Sequence, residues 1–320
     1  MVDIGYTLMC EQSAPASLVR DAVRAEQAGF DFELISDHYF PWLDAQGHSP
    51  NAWPVLGAVA QATERVELLT YVTCPIMRYH PAVVAQQAAT VGLLADGRFT
   101  LGLGAGENLN EHVIGRGWPP VNVRHEMLSE AVDIIRALLG GDYVNYVGQH
   151  FRVDSARLWD VPDPPPRIAL AASGAQSGAL AAQADALIAV EPSAGLVGTF
   201  DAAGGEGKPC IGQVPISYDQ DRDTAIERAH DQFRWFGGGW KVNAELPGTA
   251  AFAAASQFVT KDDVASAISC GPDLDAHVKA ISDFVDAGFT HIGIVQIGGA
   301  AQDTFLDWAE KELLPALRGH

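Results

Sequence analysis

Two short stretches hold the residues whose types suit chemistry. Ser36-Asp37-His38-Tyr39-Phe40-Pro41-Trp42 packs an acid, an imidazole and three aromatic rings behind the apolar run FELI. Gly104-Ala105-Gly106-Glu107 follows a second apolar run. An imidazole titrates near neutrality and is the natural proton-transfer group. A carboxylate behind small residues can sit against a closely approaching ligand, because glycine lets backbone come near. Trp42 offers an indole donor and a flat wall. Taken singly, each has a plainer reading: a structural histidine at a strand end, a tight turn, a packed tryptophan. Together, His38 and Glu107 suggest acid/base chemistry beside Trp42.

That reading requires elements that bring the two stretches together. Short apolar runs alternate with amphipathic ones along the whole chain. Strands are expected at DIGYTL, FDFELIS, RVELLTYVT, RFTLGLGAG, RIALAAS, ADALIAV, PCIGQVPISY and HIGIVQIG. Helical patterns separate them, one closed by Gly29 and one opened by Pro81 and followed by Gly97. YVNYVGQHFRV reads as a hairpin-like interruption, and 237–272 as an irregular insertion. Eight strands interleaved with helices predict an α/β (β/α)8 TIM barrel with insertions, one barrel domain over 1–320. A doubly wound sheet would carry a glycine-rich fingerprint after its first strand, and GYTLMCEQSAP has none.

In such barrels the C-terminal strand ends form the active face. The rim then collects Ser36, Asp37 and His38 from the second strand, and Tyr71, Val72 and Cys74 from the third. Gly104 to Asn108 come from the fourth, Ala172 to Gly174 from the fifth, and Val190 and Glu191 from the sixth. Asp37 faces away from His38 along a continuing strand, so it contacts a ligand or holds a loop.

Composition narrows the function class. Of the 320 residues 48% are hydrophobic and 19% charged, enough for a large core. The net charge of −20 argues against nucleic acid. Cys10, Cys74, Cys210 and Cys270 have neither zinc nor redox spacing. No basic-then-apolar leader and no run of ~18 apolar residues is visible, so a cytoplasmic enzyme is expected.

SDHYFPW, GLGAGENLNEHV, RHEMLSEAVDIIRALL and RIALAASG resemble the luciferase-like barrel flavoenzymes. They resemble most the group of glucose-6-phosphate dehydrogenases dependent on coenzyme F420, a deazaflavin. The resemblance runs from about residue 3 to residue 318. It implies a homodimeric barrel with F420 across the strand ends and hydride exchange at deazaflavin C5. By motif it implies that His38 and Glu107 move protons and that Trp42 flanks the reacting centre. It implies cofactor contacts at Asp37, Cys74, Ala105, Gly106 and Asn110, and a non-proline cis peptide between Tyr71 and Val72. Ser173, Gly174, Gln176 and Ser177 match the loop that holds the cofactor's phosphate and tail.

One departure bears on the substrate. Sugar-phosphate members bind phosphate with two lysines and an arginine. Here the strand-six rim reads VEPSAG, placing Glu191 and Ser193 at the substrate, and DDVASAISCGPD and GGAAQDTF lack the other two cations. A phosphate dianion needs such partners. A neutral alcohol, an unphosphorylated sugar or a hydroxylated lipid is therefore expected. Lys208, Lys241 or Lys261 reaching in from mobile segments would restore glucose-6-phosphate. An FMN-dependent monooxygenase on the same barrel and a non-catalytic cofactor carrier are the other readings.

Overall fold

The computed structural model describes residues 2–319. Eight parallel strands close on themselves. They are β1 (Asp3–Leu8), β2 (Phe32–Ile35), β3 (Glu67–Thr70), β4 (Phe99–Leu103), β5 (Arg167–Ala171), β6 (Ala186–Ala189), β7 (Cys210–Ser217) and β8 (His291–Gln296). Each pairs with the next, β6 pairs with β7 through Leu187 and Cys210, and β8 returns to β1 through Asp3 and His291. The chain is a (β/α)8 barrel, as its strand count predicted.

The barrel interior is apolar. Phe32, Leu34, Leu69, Tyr71, Ala169, Ala186, Ile188 and Ile211 form one buried cluster. Glycine makes room for the larger members: a Cβ on Gly5 would stand 2.3 Å from the Phe32 ring, and one on Gly293 2.2 Å from Leu34. Outward strand residues meet the helices α1 (Pro15–Ala28), α2 (Ala52–Ala62), α3 (Pro81–Leu94) and α4 (Val121–Leu139) in a second, larger core. α5 (Ala175–Ala181), α6 (Ala194–Phe200), α7 (Arg222–Phe233) and α8 (Leu274–Asp286) complete the ring. Proline in the first turn of α1 and left-handed Gly29 after it mark the helix as read from sequence.

The hairpin is present as antiparallel 144–147 and 152–156. The stretch 237–272 is not irregular. It holds short helices Trp240–Asn243, Gly248–Ala255 and Lys261–Ala267, and a two-residue strand Ser269–Cys270 on the outer end of β7. Helices of this length show too few turns for periodicity to register. Local caps set them instead, as where Thr260 Oγ1 accepts from Asp263 N and Asp263 Oδ2 from Thr260 N. These helices and the preceding turn form a cap whose apolar side joins Trp42, Leu109, Val295 and Ile297.

Candidate active site

The β2 end delivers His38 to the rim, and the loop after β4 brings Glu107 to it. His38 Nε2 lies 2.8 Å from Glu107 Oε1. His38 Nδ1 lies 2.9 Å from Glu11 Oε1. The imidazole is thus held between two carboxylates, with only 10% of its side chain exposed. Burial opposes its charged form, yet the two acids outweigh burial and hold its pKa well above the ordinary histidine value. Burial likewise disfavours the Glu11 carboxylate, but the His38 charge and its hydrogen bond, with that from Ser36, lower its pKa. The pair is an ion pair in a dry setting.

Supports run outward on both sides. Cys10 N donates to Ser36 Oγ at 2.9 Å, and Ser36 Oγ donates to Glu11 Oε2 at 2.6 Å. Asn110 Nδ2 donates to Glu107 Oε1 at 2.7 Å, while Asn110 Oδ1 accepts from Tyr39 N at 2.8 Å. Asn110 therefore braces the two loops against each other. Glu107 Oε2 is buried and has no partner, an acceptor left open beside the histidine. Trp42 packs its ring 4.9 Å from the His38 ring, and Trp235 of the cap stacks on Trp42 at 4.0 Å and 11°.

Glu11 was missed by the sequence reading. The rim rule could have found it, since it follows β1 as His38 follows β2. Arg78 was missed too. Its Nη2 donates to Asp37 Oδ1 at 3.0 Å, and its backbone N to Glu111 Oε2 at 2.6 Å. Asp37 accepts further from Thr73 Oγ1 at 2.8 Å, and its side chain is fully buried. These bonds tie Asp37 to the loop after β3.

The rest of the rim forms a floor. Tyr71–Val72 is a cis peptide, and Tyr71 OH donates to Ala189 O at 2.8 Å across the barrel. A Cβ on Gly104 would stand 2.6 Å from Val72 Cγ2. One on Gly106, whose φ is +74°, would stand 2.3 Å from Cys74 Sγ. Val72 and Cys74 thus press against bare backbone, and Ala105 is the partly buried small residue between the glycines. A flat ring with polar edges fits this floor and the open Glu107 oxygen.

Further round, Ser177 Oγ accepts from Ser173 N and Gly174 N, both at 3.2 Å. The hydroxyl occupies both of these backbone donors. Gln176 is exposed beside them. Ser193 Oγ caps α6 by accepting from Leu196 N at 3.2 Å, and Glu191 is exposed. The lysines do not converge here. Lys208 donates to Ala182 O and Ala184 O at 2.7 and 2.9 Å, and Lys261 pairs with Glu227 at 3.1 Å. Lys241 is exposed on its four-residue cap helix.

Comparison with known proteins fits this geometry. An F420-dependent glucose-6-phosphate dehydrogenase of Beutenbergia cavernae is 36% identical, over 99% of this chain and 98% of that one. An F420-dependent hydroxymycolic acid dehydrogenase of Mycobacterium tuberculosis is also 36% identical, over 98% of this chain and 88% of that one. Among solved structures, an F420-dependent secondary alcohol dehydrogenase bound to an F420-acetone adduct superposes with a TM-score of 0.89 at 29% identity, covering 99% of both chains. Residues 3–291 match the family described as luciferase-like monooxygenase, and on this match and these full-length likenesses the chain belongs to that family.

Proposed function

We propose that this chain is an F420-dependent oxidoreductase acting on the CH–OH group of a neutral alcohol or unphosphorylated sugar. The observation that carries the reading is His38, bridged by Glu11 and Glu107 under Trp42, with Glu107 Oε2 open. When bound, F420 supplies the hydride acceptor or donor at deazaflavin C5. Val72, Cys74, Ala105 and Gly106 would hold its ring, and the loop 173–177 its tail. Asp37 and Asn110 keep that floor and the acid/base pair in place.

The protein's part is the proton. His38 rests protonated between its acids, so in the reductive direction it donates to the substrate carbonyl oxygen. In the oxidative direction the substrate hydroxyl proton needs an acceptor. His38 offers one once its own proton has passed to Glu107, 2.8 Å away. A hydroxyl gives up hydride from its carbon more readily as its proton leaves.

The apolar cap, with Trp42, Phe252, Val295 and Ile297, and the commitment of Lys208 and Lys261 elsewhere favour an uncharged substrate. A single barrel unit, as the strand count implies, a homodimer, carried over from the family likeness, and a cytoplasmic setting complete the proposal. Among the described residues no helix is long and apolar enough to cross a membrane.

The test is anaerobic mixing with oxidised F420 and a panel of neutral alcohols, glucose and glucose-6-phosphate, following deazaflavin absorbance. Bleaching with a neutral alcohol or sugar is expected. Bleaching with glucose-6-phosphate alone makes the chain a sugar-phosphate dehydrogenase. Failure to bind F420, with FMN bound and oxygen consumed, makes it a monooxygenase.

A further inference from the structure

Three glutamines are buried at the same end of the barrel as His38: Gln12, Gln296 and Gln302, each 5% exposed or less. A buried amide must satisfy both its nitrogen and its oxygen, and leaving either open is costly. All three are engaged on both atoms. A fully satisfied buried network of this kind is rigid.

The network fastens strand ends. Gln12 closes the one-turn segment Cys10–Gln12 that follows β1. Its Nε2 donates to Gln296 O at 2.8 Å, and its Oε1 accepts from Gly298 N at 2.8 Å. Gln302, at the start of the helix Gln302–Trp308, donates to the same Gln296 O and to Gly298 O, both at 2.9 Å. It also accepts from the Tyr6 hydroxyl of β1. Gln296 Oε1 accepts from Tyr218 N, just past β7, at 2.9 Å. Backbone is pressed together here as well: a Cβ on Gly299 would stand 2.0 Å from Gln12 O. Gln12 is the member through which the segment after β1 joins β8.

Glu11 is the residue before Gln12. Its two oxygens meet His38 Nδ1 and Ser36 Oγ, both on the β2 side. The backbone of the segment is held on that side too, by Cys10 N on Ser36 Oγ and by His48 N on Glu11 O at 3.0 Å. On the opposite side the Gln12 amide supplies the hold. A carboxylate on so short a turn keeps its place against a buried ring only when the turn is fixed from both sides. The charged groups facing His38 are Glu11 from the β1 end and Glu107 from the loop after β4, while neighbouring Asp37 is paired with Arg78. Of the two facing acids, Glu11 does more to favour the charged imidazole.

We propose that Gln12 is a positioning residue for proton transfer: its amide, clamped to the end of β8, holds the Glu11 carboxylate at His38 Nδ1. The inference rests on His38 being the proton carrier of the proposed reaction. An uncharged side chain bonded to β8 thereby shares in setting the protonation of a ring on the β2 side.

The experiment follows the His38 titration by NMR in the ligand-free full chain, labelled at histidine, with His38→Asn giving the assignment. Gln12→Met keeps the bulk and loses both amide contacts. Freeing Glu11 weakens the support of the charged imidazole, so the His38 midpoint is expected to fall by about one pH unit, about tenfold in proton affinity. In a Glu11→Gln background the same change is expected to add nothing, because the group being positioned is gone. Gln12→Asn, whose amide is too short to reach both partners, is expected to give a smaller fall and serves where Gln12→Met does not fold. With F420 and a ketone, the alkaline limit of reduction should move down together with the NMR midpoint. An unmoved midpoint in a folded Gln12 variant, whatever its melting temperature, or an equal fall in the Glu11→Gln background, would overturn the role of Gln12. An unaltered protein that turns over nothing with F420 overturns the proposed function instead, and the NMR contrast still decides for or against Gln12.

Discussion

The two mouths of the barrel carry similar residue types and use them differently. At the N-terminal mouth, Arg167 pairs with Glu67 at 2.8 Å and His291 with Asp3 at 3.2 Å. Arg167 and Glu67 are 56% and 52% exposed. At the C-terminal mouth, His38 and Glu11 are 10% and 1% exposed, and Glu107 carries an unpartnered oxygen. Water screens the Arg167–Glu67 pair, so it ties strand ends together and little more. Burial removes that screening at the second, so each charge depends on a specific neighbour and shifts the pKa of the next. The lesson is that ion pairs of similar length differ in use according to what surrounds them.

Substitutions should widen or collapse this contrast. The largest effect is expected from His38→Asn, which removes the group held between the two acids. Turnover should fall about 10³-fold with F420 affinity retained. A loss below about tenfold would put the proton elsewhere. Next comes Glu11→Gln. Glu11 is the leading force raising the His38 pKa, so its neutral replacement lets that pKa drop. Alcohol oxidation, which needs His38 deprotonated, should then reach half-maximal rate at a lower pH. Ketone reduction, which needs it protonated, should be lost from lower pH upward. Both limbs are read from a pH–rate profile, and a profile that does not move would remove Glu11 from the relay.

Gly106→Ala should act on the floor rather than the proton. The new Cβ meets Cys74 Sγ, and the backbone is left-handed there, so stability should drop by about 1–3 kcal/mol in a thermal melt, with weakened F420 binding. The smallest effect belongs to the other mouth. Glu67→Ala should cost less than about 1 kcal/mol and leave turnover untouched. A large loss of activity there would erase the distinction between the two ends.

Most of the frame was legible in the sequence. Eight apolar runs gave eight strands, because strands buried on both faces read as continuous apolar segments. The rim rule then placed His38 and Glu107 at the same end of the barrel without any knowledge of contacts. What escaped has physical reasons. Asp37 finds Arg78 41 residues along the chain, and no local pattern encodes that meeting. Glu11 sits in a one-turn segment between Cys10 and Gln12, where nothing marks it apart from its place after β1. The cap helices have four to eight residues, too few for a hydrophobic period, and the flanking glycines 237–239 and Pro247 read as loop.

The relay draws Glu11, Ser36, His38, Glu107 and Asn110 from the stretch before residue 111, whereas the cap's Trp235 and Phe252 come from the last third of the chain. On the proposed function, proton handling and most of the apolar cap are thus written in separate stretches of the gene. Drift in the second stretch can change what the protein accepts while the first stays fixed. Two descendants of one ancestor could share a reaction and a cofactor spectrum and yet have no substrate in common.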